Sequence, residues 1–153
     1  MTRPVIRLLC SWFGAGWLPK APGSWGSLAA LPFAALLAWA GGPILLGSAA
    51  LLLFGLGWWC SEIAVRDESE DDPGWIVIDE VVGQWLTLLL TPPGWLGYAV
   101  GFALFRLFDI KKPWPVDWAD RHVKGGLGIM LDDVLAALYA ASLLALLQRT
   151  GLV

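Results

Sequence analysis

Carboxylates stand at the ends of the apolar segments of this 153-residue chain. Asp79 and Glu80 precede the apolar run 81–90, Asp109 closes 95–108, and Asp132 and Asp133 open 134–147. An ionised side chain in or beside hydrocarbon is costly, and it is retained where it faces a wet cavity, pairs with a partner or holds a cation. Three acidic knots on consecutive hydrophobic helices therefore predict one shared polar site at the edge of a membrane-embedded bundle. Composition supports the membrane setting. The chain is 58% hydrophobic and 15% charged, whereas soluble domains run about 45–50% apolar and about 25% charged. The 11 tryptophans suit headgroup depth, where an indole is half apolar and its N–H stays wet. Length predicts a single domain over 1–153.

The punctuation of the chain predicts about five helices, hence an all-α polytopic membrane helical bundle. A Gly- and Pro-rich opening stretch ends at Pro22-Gly23, with Ser24 or Ser27 placed to cap the helix that follows. Helices are expected over 27–40, 44–66, 76–90, 95–110 and 132–148, broken by Gly41-Gly42-Pro43, an acidic loop, Pro92-Pro93-Gly94 and a polar loop over 111–131. The first and third are shorter than the roughly 20 residues a span needs. Basic residues lie before the first helix (Arg3, Arg7, Lys20), after the second (Arg66) and between the last two (Lys111, Lys112, Arg121, Lys124), while the opposite turns carry no charge. Five spans with a cytoplasmic N-terminus place every charged loop, and the active site, at the cytoplasmic interface. The net charge of −3 argues against a nucleic-acid partner. Cys10 and Cys60 read as small hydrophobes rather than a disulfide, and the N-terminus lacks the pattern of an export signal.

Three constellations carry potential chemistry. Asp79-Glu80 open a helix, where acids favour the dipole; two adjacent carboxylates nevertheless point to different azimuths, more than one cap needs. Gly83, costly in a helix by about 1 kcal/mol, would admit a close neighbour. Arg106, Asp109 and Lys112 recur at spacings of three, which could be a plain surface ladder; Pro113 and Pro115, however, stiffen the loop and aim Lys112. A carboxylate beside a fixed base suits a metal-plus-phosphate site. Finally, Asp117, Asp120, Arg121, His122 and Lys124 lead into Gly125-Gly126-Leu127-Gly128 and Asp132-Asp133. Glycines ahead of a helix can cradle an anion, and acids at that helix start are compatible with phosphate only if a cation intervenes. His122, the sole histidine, reads as surface or structural. The ligand set is thus all oxygen, which predicts Mg²⁺ or Mn²⁺ rather than zinc. Of the acidic run Glu68, Glu70, Asp71, Asp72, the first members read as a solvated loop, while Pro73 fixes Asp72 near the site.

Four blocks resemble the bacterial phosphatidylglycerophosphatase A family: Lys20-Ala21-Pro22-Gly23-Ser24-Trp25-Gly26-Ser27, Ile78-Asp79-Glu80-Val81-Val82-Gly83-Gln84-Trp85, Phe105-Arg106-Leu107-Phe108-Asp109-Ile110-Lys111-Lys112-Pro113-Trp114-Pro115, and Gly125-Gly126-Leu127-Gly128-Ile129-Met130-Leu131-Asp132-Asp133. They follow the family's order over most of the chain, departing at Ser24 (Thr is usual) and Ala137 (often Gly). The resemblance implies a Mg²⁺-dependent lipid phosphatase of the inner membrane, converting phosphatidylglycerophosphate to phosphatidylglycerol.

On this reading Asp79, Glu80, Asp109 and Asp132 or Asp133 hold one or two Mg²⁺ ions. Arg106 and Lys112, with Lys20, Arg121 or Lys124, grip the phosphomonoester. A water acidified by the cation attacks phosphorus in line, with Asp120 or Asp133 as general base; an aspartyl-phosphate on Asp109 is the rival. The alternative of another class is a small transporter or proton relay, which would spread acids through membrane depth. A CDP-alcohol phosphotransferase lacks its spaced Asp signature here.

Overall fold

The computed structural model describes residues 2–66 and 72–153. Among them the chain is all-helical: α1 (Thr2–Cys10), a short 3-10 turn (Ala15–Trp17), α2 (Pro22–Arg66), α3 (Ile78–Thr87), α4 (Trp95–Lys111), α5 (Val116–His122) and α6 (Gly125–Arg149). Glu68, Glu70 and Asp71 lie outside the described residues. The all-α bundle agrees with expectation; the count and several boundaries do not.

The first two expected helices are the arms of α2. Its backbone leaves helical geometry at Gly41 (φ −153°, ψ 16°) and Gly42 (φ 64°, ψ −159°), and the positive φ at Gly42 is one that glycine adopts without steric cost. Gly23 in the first arm and Gly57 in the second both abut the first turn of α3, so the arms fold back on each other. The helix begins at Pro22, whose fixed φ suits a first helical position. Neither serine caps it: the Ser27 hydroxyl donates to the Gly23 carbonyl one turn inside, at 2.8 Å.

Two helices escaped the sequence reading. α1 docks through Ile6 and Cys10 on Cys60, Ala64 and Ile76, and the Cys10 carbonyl accepts the Val77 N–H at 2.8 Å, directly ahead of α3. Both cysteines are free and buried. α5 occupies part of the expected 111–131 loop, and α6 starts at Gly125, seven residues earlier than expected. Conversely, the expected helix over 76–90 is only Ile78–Thr87.

α3 and α6 run parallel, with α4 antiparallel against both. Gly83 of α3 meets the Phe105 ring of α4 and the Asp133 carbonyl of α6; further along, Gly101 of α4 meets Leu88 and Leu144, and Gly97 meets Thr91 and Gln148. A methyl on Gly83 would stand 2.5 Å from Phe105, so this glycine is the close-approach point that its sequence context predicts.

The packing pattern is inside-out relative to a soluble domain. Ala30, Ala34, Ala50, Ala136, Ala137 and Ala140 are buried, while Trp39, Ile44, Leu51 and Leu52 are exposed. Small residues between helices and large apolar ones outside are what packing in lipid favours. α2 and α6 are long and apolar enough to cross a membrane. α3, with 10 residues, rises only about 15 Å and is too short to cross, and α4 has 17. Five full spans are therefore not present among the described helices.

Candidate active site

Parallel and antiparallel packing bring the first turn of α3, the last turn of α4 and the third turn of α6 to one end of the bundle. The acids form two triads that share a member. Ligand oxygens of Asp79, Glu80 and Asp133 lie within 4.8 Å of one another, as do those of Asp109, Asp132 and Asp133. Asp133 is only 2% exposed. Asp79 and Glu80 do point to different azimuths: Asp79 faces α6, while Glu80 faces Gly23 of α2 and Arg106 of α4. A methyl on Gly23 would collide with the Glu80 carboxylate, so α2 can start here only with glycine.

Two cations are set among these acids. Arg106 Nη1 lies 2.5 Å from Asp109 Oδ2 and 3.6 Å from Glu80 Oε1. Lys112 Nζ donates to Asp120 Oδ1 at 2.5 Å and to Asp132 Oδ2 at 2.7 Å. Lys112 sits just past α4 with a left-handed backbone (φ 44°), and Pro113 follows. Burial pulls the pKa of its ammonium down, but hydrogen bonds and charge attraction from Asp120 and Asp132 outweigh this and hold it above the usual lysine range.

Six carboxylates (Asp79, Glu80, Asp109, Asp120, Asp132, Asp133) thus gather with two cations, Arg106 paired with Glu80 and Asp109 and Lys112 with Asp120 and Asp132. Buried Asp79 Oδ1, Glu80 Oε2 and Asp133 Oδ2 have no hydrogen-bond partner. Uncompensated buried charge is strongly destabilising, so the arrangement calls for added positive charge. The donors are all carboxylate oxygens, the set a hard divalent cation takes. These residues fit Mg²⁺.

The structure does not gather every residue singled out from sequence. Arg121 pairs with Asp117 at 2.7 Å on the outer face of α5, its side chain 70% exposed. Lys20 is exposed, three residues before Gly23, on the rim. Lys124 lines a small pocket with Asp72, Asp120 and Asp132, which places Asp72 at the site as its proline neighbour suggested. His122 stacks on Trp118 at 5.7 Å, and its Nδ1 lies 2.9 Å from the Trp118 carbonyl, in keeping with a surface role.

The glycine loop is a correction. Gly125, Gly126 and Gly128 are inside α6 rather than ahead of it, and Asp132-Asp133 are not at its start. Gly126 packs on the backbone of α2 at Trp58 and Glu62, and Gly128 on the Val123 carbonyl. The anion at this helix start is the protein's own: Glu62 Oε2 accepts the Gly126 N–H at 2.8 Å. Sequence reasoning missed Glu62; its one visible signal is an acid in the last turns of an otherwise apolar helix. It also missed Gln84, fully buried one turn past Glu80 with both amide atoms unpartnered.

Comparison with known proteins follows the same residues. The family pattern described as Phosphatidylglycerophosphatase A matches residues 8–148. The chain is 42% identical to phosphatidylglycerophosphatase A of Escherichia coli (strain K12) over 140 residues, covering 90% of this chain and 80% of that protein. It is 40% identical to the Haemophilus influenzae protein of that name over 144 residues, covering 94% and 88%. A Bacteroides thetaiotaomicron protein whose name carries a provisional phosphatidylinositol-3-phosphatase assignment is 39% identical over 161 residues, covering 95% and 96%. No solved structure matches the chain.

Proposed function

The chain belongs to the phosphatidylglycerophosphatase A family and is a phosphatase associated with membrane; on that premise we propose that it hydrolyses phosphatidylglycerophosphate to phosphatidylglycerol with Mg²⁺ held by the two acid triads. The observation that carries the metal is the set of partnerless buried oxygens on Asp79, Glu80 and Asp133. Asp79, Glu80 and Asp133 would hold one ion, Asp109, Asp132 and Asp133 a second, with Asp133 common to both. Bound there, the ions supply charge neutralisation and Lewis-acid polarisation of the phosphoryl oxygens.

The chain's own groups do the rest. Arg106, aimed between Glu80 and Asp109, presents guanidinium donors to the phosphate, and Lys112 offers a compact second charge. Arrival of phosphate draws Lys112 from Asp120, which is then available at the pocket mouth to take the proton of an attacking water. Asp109 is committed to Arg106, which favours water over Asp109 as the nucleophile. Arg121, turned outward, takes no part in this scheme.

We place the site at the cytoplasmic face of the bacterial inner membrane, in a multi-pass chain. In support, Arg3, Arg7, Lys20, Arg66, Lys111, Lys112, Arg121 and Lys124 all belong to the site end, as basic cytoplasmic segments do. A proton relay fits less well, because every acid among the described residues lies at that same end. Phosphate release by purified protein tests the reading, from phosphatidylglycerophosphate and, as comparator, phosphatidylinositol 3-phosphate, each with and without EDTA. The expected result is EDTA-sensitive release from the first substrate. Release that persists in EDTA overturns the metal assignment, and preference for the comparator overturns the substrate.

A further inference from the structure

Below the acidic centre α3 and α6 separate. An apolar cleft of about 240 Å³ lies between them, lined by Thr87, Leu90, Ala137, Ala141 and Ala145 among others. Its upper end is one helical turn beneath the acids. On α6, Ala137 follows Asp133 by four residues; on α3, Thr87 follows Gly83 by four, and Gly83 abuts the Asp133 carbonyl. Residues four apart share a helix face, so the line Asp133, Ala137, Ala141, Ala145 descends from the acid shared by both triads along the floor of the cleft. Alanine leaves that floor open. The rim is apolar and outward-facing, with Leu90 76% and Leu138 59% exposed.

The dimensions select an occupant. From Ala137 to Gln148, which lines the far end, α6 rises about 16 Å. That is close to half of the roughly 30 Å hydrocarbon thickness, the depth of one leaflet. An apolar cleft one leaflet deep that opens one turn beneath the acids matches an acyl chain whose lipid headgroup lies at those acids.

We propose that this cleft seats one acyl chain of the lipid whose phosphate lies at the acidic centre, an inference that rests on the lipid-phosphatase reading above. Lipid already solvates such a chain as well as leucine does, so the cleft adds no hydrophobic driving force. It acts by alignment. A chain held between α3 and α6 fixes the lipid's lateral position and suspends its headgroup at Asp133, leaving fewer orientations to be lost when the phosphate engages.

Two measurements test the seat. The first is photolabelling of the purified protein with phosphatidylglycerophosphate bearing a mid-chain diazirine, read by peptide mass spectrometry. Insertion concentrated at Leu138, Ala141 and Ala145 supports the seat. Insertion spread over outer faces such as Leu51, Leu52 and Trp39, or cross-links between two copies through α6, overturns it. The second compares Ala141→Leu with the parent chain on diacyl substrate and on glycerophosphate, which has no acyl chain. The expected result is a KM for diacyl substrate raised about five- to tenfold, the size of an ordinary overpacking penalty. Glycerophosphate hydrolysis and the melting temperature should be unchanged. An equal KM on both chains overturns the seat while leaving the phosphatase reading intact; a parent chain that hydrolyses neither substrate overturns that reading and the seat with it.

Discussion

The two acid triads are alike in composition and unlike in condition. In Asp109–Asp132–Asp133 two carboxylates are already answered: Arg106 reaches Asp109 and Lys112 reaches Asp132. In Asp79–Glu80–Asp133 the cation at hand among the described residues is the same Arg106, 3.6 Å from Glu80, and one oxygen of each acid is buried without a partner. The first triad is close to self-neutralised; in the second the cost of desolvation is left without a matching counter-charge. The difference teaches that three carboxylates do not define a cation site by number. What counts is the charge the protein itself leaves unanswered, and by that measure the α3 side is the stronger seat.

Removing the common member should produce the largest effect. Asp133→Asn is expected to lower kcat/KM about a thousandfold, the loss of several kcal/mol of transition-state stabilisation. Calorimetry of the metal-free protein should nevertheless give an unchanged or higher melting temperature, because like charges are relieved; a lower one would mean that Asp133 is structural. The triads can then be set against each other by titrating Mg²⁺ into single variants. Asp79→Asn is expected to weaken the tighter binding step about tenfold or more and Asp132→Asn to weaken it less, so equal losses would erase the distinction. Lys112→Gln should move two quantities in opposite directions. With Asp132 and Asp120 released, Mg²⁺ affinity rises, while KM for the phosphate substrate increases about tenfold for want of a charged donor. The smallest change is expected at Glu62→Gln, outside both triads: about 1 kcal/mol of stability lost from the cap on α6, measured by thermal melting, and kcat/KM within about threefold of the parent.

Much of this site could be read from the chain because Asp79, Glu80 and Asp109 sit at helix ends. Pro92-Pro93-Gly94 and Pro113 bracket α4, so Asp109 and Lys112 had to lie in its final turn and just beyond. The α6 region was misread for a physical reason. Glycine disfavours helix by about 1 kcal/mol per residue, which made 125–128 look like a loop; contact with α2 at Trp58 and Glu62, where no Cβ fits, outweighs that preference. Nothing near Gly126 in sequence announces Glu62, which is 64 residues away. Gly23 and Glu80 are likewise distant along the chain and touch only because α2 doubles back. α1 was lost inside a stretch whose Gly and Pro residues lie mostly after it, and its packing on Cys60 and Ala64 has no local signature.

The turn at Gly41-Gly42 also bears on how the chain reaches its membrane. Both reversals remote from the acids, Gly41-Gly42-Pro43 and Thr91-Pro92-Pro93-Gly94, are built from uncharged residues. Among the described residues Arg149 is the one ionisable arginine, lysine or acid at that pole. Threading a lysine, arginine or aspartate past the middle of a bilayer costs about 2.5–3.5 kcal/mol each on insertion scales. The doubled-over α2 can therefore enter as a folded hairpin, tip first, with no ion to drag through the lipid, while every carboxylate of the two triads stays behind in water until the helices close around it.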